Sequence, residues 1–75
     1  MYHQIEFVSD VQADLETSPR QPLEWLLLRR GSRRRAQVRP YVVEATDGPA
    51  EVADLFFDDG TATRRVPFAC FSFVG

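Results

Sequence analysis

The apolar residues of this chain come in short runs, and a proline, glycine or polar cluster interrupts nearly every one. This spacing constrains the fold more than any other feature. A core-building helix needs ten or more residues of 3.6 periodicity, whereas runs of this length suit strands. Tyr2 to Val8 reads as a first strand, with Tyr2 and Phe7 on opposite faces and His3 on the polar face. Ser9 and Gln12 have the spacing of a capping box, and Val11 and Leu15 would share a helix face. One or two helical turns are therefore expected over residues 10–16. Pro19 and Pro22 then impose an extended connector.

Leu23 to Arg30 fits a buried strand or a short helix, and the Gly31-Ser32 that follows favours the strand. Those two residues would turn a hairpin into a strand from Ala36 to Thr46, bent or placed on an edge by Pro40. Asp47-Gly48-Pro49 marks a turn before Glu51 to Phe57. Asp58-Asp59-Gly60 is a tight-hairpin signal. Thr61 to Val66 returns, and Phe68 to Val74 closes the chain as its most apolar strand. The expected architecture is mostly β: a small antiparallel barrel or strongly coiled sheet of five to six short strands, with one short helix near residues 10–16. Residues 1–75 form a single small domain. Trp25 and Leu27 oppose Leu26 and Leu28, and Leu55 and Phe57 oppose Val52 and Phe56. An open sheet would leave one of those faces wet, so barrel closure or self-association is expected.

The stretch Thr46-Asp47-Gly48 followed by Val52-Ala53-Asp54-Leu55-Phe56-Phe57-Asp58-Asp59 resembles the opening hairpin of the PRC-barrel family. In that family a glycine usually precedes the valine and several strands follow the paired aspartates. Here no glycine lies between Gly48 and Val52, and fifteen residues follow Gly60. The resemblance implies a hairpin and no function.

Chemistry-bearing groups are sparse. The one histidine, His3, is read as a surface residue, not as a base or ligand. Cys70, the one cysteine, lies in VPFACFSFV and is read as a buried, inert thiol. No His, Cys or carboxylate spacing suits a metal, and no glycine-rich loop suits a phosphate. Asp54, Asp58 and Asp59 are read as turn and strand residues. The expectation is a non-catalytic protein with no cofactor and no small-molecule substrate. The absence of a basic, apolar leader and of a long apolar run places it in the cytoplasm and off the membrane.

Charge supplies the one pointer to a partner. All nine basic residues are arginine, and six fall between Arg29 and Arg39. That segment carries +6, while residues 1–28 and 40–75 each carry −4, which the net charge of −2 conceals. In a hairpin, Arg29, Arg30, Arg33, Arg34 and Arg35 would crowd one tip, with Arg39 on the descending strand. Trp25 and Tyr41 would flank it. Three roles fit: a solvated loop whose stems cover apolar edges, a protein-docking or self-association surface, or an RNA-binding tip of a small barrel. A protein-interaction or accessory module is the first expectation and RNA binding the alternative.

Overall fold

Polar and apolar residues alternate along a long strand from Arg33 to Ala45, and this alternation defines the two faces of the sheet. The computed structural model describes residues 1–15 and 24–74, with side chains for 1–12 and 27–74. The described strands are β1 (His3–Phe7), β2 (Val11–Leu15), β3 (Glu24–Leu28), β4 (Arg33–Ala45), β5 (Gly48–Phe57), β6 (Ala62–Pro67) and β7 (Phe71–Phe73). Five of them form an antiparallel sheet in the order β6-β5-β4-β1-β7, and β2 pairs with β3 as a separate ribbon. The fold is thus mostly β and antiparallel, as expected, but with seven described strands where five to six short ones were expected, β4 and β5 running to 13 and 10 residues.

The inner face of the sheet collects the core. Ile5 and Phe7, Ala36, the alternate residues Ala53, Leu55 and Phe57, Val66 and Phe71 pack there with Leu28 of the ribbon. Val11 and Val38 pack against its margin. Each large side chain fully withdrawn from water contributes about 1.5–3 kcal/mol. The ribbon is brought onto this face by two adjoining corners. At one, Gly31 at φ +88° donates its N–H to the Phe7 carbonyl (2.7 Å), and Phe7 donates to Ser32 (3.0 Å). At the other, the Asp10 carboxylate accepts the Arg30 N–H at 2.7 Å. β2 also lies alongside β6.

Four expectations are corrected. Residues 11–15 are the strand β2, not part of a helix over 10–16; residue 16 lies outside the described residues. The Val11–Leu15 spacing that suits a helix face equally puts both on one face of a strand. Five residues are too few to nucleate a helix without help, whereas β3 offers a full register from Val11–Leu28 to Leu15–Glu24. Second, Gly31-Ser32 does not turn a β3–β4 hairpin. β1 already occupies the flank of β4 that β3 would need, so the chain turns a corner from ribbon to sheet. Third, Phe68–Cys70 form a 3-10 turn, which shortens the last strand to Phe71–Phe73. Fourth, His3 shares the face of Ile5 and Phe7, exposed at its open end, with its ring edge-on to Phe73 at 5.5 Å. The Pro19–Pro22 connector lies outside the described residues.

Beyond the core, β4 and β5 continue as a two-stranded arm, because β1 ends opposite Ala36 and β6 ends opposite Val52. Ser32 gives its carbonyl to β1 and Arg35 gives its own to β5. Even-numbered residues of β4 therefore turn their backbone groups away from β5. Pro40, which has no N–H to donate, thus faces no strand among the described residues. The same alternation puts Pro49 on the opposite open edge of the arm. Proline at both edges discourages addition of a further strand.

Phe71, buried in the core with its ring near those of Phe7 and Phe68, tests this packing. Phe71→Ala should lower stability by about 3–5 kcal/mol in urea denaturation. An unchanged midpoint would refute the placement of β7 on the inner face.

Candidate anion-binding face

The outer face of the sheet carries the side chains that alternate with the core. Register sets Gln4 beside Arg35 and Glu6 beside Arg33 across β1–β4. Across β4–β5 it sets Gln37 beside Phe56, Arg39 beside Asp54 and Tyr41 beside Val52. Arg33, Arg35 and Arg39 therefore lie on one face of one strand, at multiples of about 7 Å. β6 completes the face. Ala53 pairs with Val66 and Leu55 with Thr63, so Arg64 and Arg65 together oppose Asp54. This is a β-bulge, and Arg65 adopts φ +59° within it.

Asp54 is the centre of the arrangement. It is 8% exposed, and its carboxylate accepts the Tyr41 hydroxyl (2.8 Å), the Arg64 guanidinium (3.1 Å) and the Arg65 backbone N–H (3.1 Å). Burial pushes the Asp54 carboxyl up, but the bonds from Tyr41, Arg65 and Arg64 together outweigh it and hold it below the usual range. Tyr41 is displaced the other way. Desolvation, then the bond to Asp54 and its negative charge, raise the phenol above its ordinary value. Arg64 stands 5.5 Å from the Phe56 ring centroid and Arg39 stands 5.9 Å from it, both within cation–π range.

The six clustered arginines do not share one tip. Arg29 and Arg30 are exposed at the corner, where Arg29 accepts from Ser32 through its carbonyl. Arg33 bonds Glu6 at 2.9 Å. Arg34 turns to the inner side, its guanidinium 4.3 Å over Phe57 and 3.2 Å from Asp59. Asp59 is held below the usual carboxylate range, chiefly by the Thr61 hydroxyl and N–H and also by Arg34. Arg35 and Arg39 are exposed, and no carboxylate among the described residues bonds either one. Tyr41 spends its hydroxyl on Asp54. Trp25 pairs with Asp14 in the ribbon, and its side chain lies outside those described.

Sequence reasoning missed Asp54, Phe56 and Arg64 as members of this face. The signal was the β4–β5 hairpin. Its loop is Thr46-Asp47, and counting back from that two-residue loop brings Arg39 opposite Asp54. Chemically, the face offers the guanidiniums of Arg35 and Arg39, which no described carboxylate bonds, one aromatic ring and a buried carboxylate already saturated with donors. That set suits binding of anions. Cys70 is partly buried against the core margin. Among the described residues no three His, Cys, Asp or Glu come together as a metal site.

Asp54 makes a pH prediction. Its folded value lies below its unfolded value, so its stabilisation is complete above about pH 5. As the pH falls, the unfolded chain takes up the proton first, and the contribution is lost through the folded value. Asp54→Asn should therefore cost about 1.5–3 kcal/mol at pH 7, the range for hydrogen bonds to a charged group. The gap to wild type should narrow between about pH 5 and pH 2 in urea denaturation. A gap independent of pH would refute the assignment.

Comparison of the chain with protein-family models, with curated proteins and with solved structures finds no match.

Proposed function

We propose that the protein is a non-catalytic accessory module that docks an anionic macromolecular partner on the outer face of its sheet. The carrying observation is the pair Arg35 and Arg39, exposed and with no carboxylate partner among the described residues, in a protein whose net charge is −2. The exposed Arg39 guanidinium rests beside the Phe56 ring before a partner arrives, which lowers the ordering cost of binding. The expected basic hairpin tip gives way to a flat basic face in this reading. The fold is taken as an incompletely closed barrel, a reading supported by β2 lying alongside β6. A cytoplasmic setting belongs to the same proposal, supported by a single cysteine that has no second cysteine to bridge.

Self-association is a second reading, favoured by a separate observation. The inner face runs on past the ribbon, and there Val42 is 64% and Phe73 52% exposed. Analytical ultracentrifugation should then show a concentration-dependent dimer that Val42→Ser and Phe73→Ser together abolish.

The principal reading predicts retention on immobilised heparin at pH 7 and low salt, despite the negative net charge. Arg35→Glu with Arg39→Glu should move the protein to the flow-through, with its thermal midpoint within a few degrees of wild type. A wild type that washes straight through would end the proposal.

A further inference from the structure

We infer that the partner is a single-stranded nucleic acid, bound along β4 through its phosphodiester backbone; this rests on the outer face being the docking surface. Charge complementarity is the first ground. Arg33, Arg35, Arg39, Arg64 and Arg65 belong to the outer-face strands and the bulge. Among the described residues, the acids beside them are Glu6, bonded to Arg33; Asp54, buried; and Asp58, beside Arg35 across the β4–β5 hairpin. With Arg64 and Asp54 set aside because they bond each other, four cations against two described acids leave this region positive while the rest of the chain is more negative than the total. The acids elsewhere are in part committed too: Asp10 to the Arg30 N–H and Asp59 to Arg34 and Thr61.

The place of the row on the fold selects among polyanions. An extended acidic peptide gains most of its affinity by adding as a strand to a sheet edge. β4 is a central strand where Arg33 and Arg35 sit, with β1 on one side and β5 on the other, so its backbone has little to offer there. A nucleic-acid backbone needs only side-chain donors along a face, with an aromatic or guanidinium plane for an occasional base. Arg39 and Arg64 beside Phe56 provide those planes. Duplex binding fits less well. Among the described residues, the projecting element narrow enough for a groove is the β4–β5 arm, and it carries Glu44, Asp47 and Glu51. Those acids also set a limit to the site, so a bound strand would run from Arg39 toward Arg33 and away from the arm.

The test is fluorescence anisotropy of labelled twelve-nucleotide oligouridylate and oligothymidylate, with a duplex of equal length and polyglutamate as further arms. Contact with three or four phosphates predicts a log affinity that falls with log salt at a slope of about −2 to −3. Arg35→Gln with Arg39→Gln should weaken binding at least tenfold and reduce that slope by about 1.4. Arg35→Glu alone, at an exposed residue without a bonded partner, serves if the double variant is less stable. Equal affinity for the two oligonucleotides would support the inference, and preference for the uridylate through its 2′-hydroxyls would support it and identify RNA as the strand. Binding that ignores both variants, or a duplex bound more tightly than single strands, would overturn it. Heparin or polyglutamate bound through Arg35 and Arg39 with no oligonucleotide bound would overturn the inference and leave the docking face standing. No polyanion bound would end both.

Discussion

A carboxylate withdrawn from water on the polar side of the sheet governs how the basic residues are displayed. β6 has one residue more than β5 at this point, and without compensation the Arg65 N–H would be lost to the ladder. Asp54 accepts it, and the same carboxylate anchors Tyr41 from β4 and Arg64 from β6. Three neighbouring strands are thereby tied at one atom group. The left-handed backbone of Arg65 costs about 1–2 kcal/mol for an L-residue, and the bonds to a charged acceptor offset it. The bulge also directs Arg64 toward Phe56, where Arg39 arrives from the other strand. Two guanidiniums thus meet at one ring because a third group has fixed the strand between them.

The remaining constraint is size. A chain of 75 residues supplies one layer of core, and here that layer lies between the inner face of the sheet and a two-stranded ribbon. Strand alternation then assigns every second residue to a face that no other described strand covers. Arginine stems cover some of that surface while the heads remain in water. Arg34 shows the opposite use on the inner side, where its head lies over Phe57 and reaches Asp59 beyond the edge of the core. Clustering in sequence therefore conceals a division: adjacent arginines on a strand point to opposite faces and do different work.

The strands and turns were largely legible because each is encoded locally. The Asp58-Asp59-Gly60 hairpin, the first strand around Phe7, and the strand Glu24–Leu28 follow from turn chemistry and periodicity. The errors share a cause. Val11–Leu15 satisfies helix and strand spacing alike, and its partner strand decides between them. Gly31-Ser32 satisfies hairpin chemistry, but β1 has already taken the flank of β4 that a hairpin would need. Local signals name the elements, and competition for pairing edges decides how they join. The site was less legible for the same reason, since Asp54 and Arg39 are fifteen residues apart in sequence and meet only through register.

That register also changes how the charge pattern should be understood. Along the chain, a basic segment sits between two acidic ones, which invites a picture of a basic tip repelled by its own flanks. In space, Glu6 and Asp59 come back to Arg33 and Arg34 from opposite ends of the sequence, and Asp54 comes to Arg64. The acids do not oppose the basic segment as a block; they neutralise particular members of it. What they leave is selective. Arg35 and Arg39 face outward on the same strand, separated by Gln37, a neutral donor and acceptor. Exposed ion pairs contribute about 0–1 kcal/mol each, so stability alone gives little reason to assemble so many arginines on one strand. Among the described residues the face pairs Arg33 and Arg64 with carboxylates and leaves Arg35 and Arg39 without one, which is the arrangement the proposed anionic partner would use.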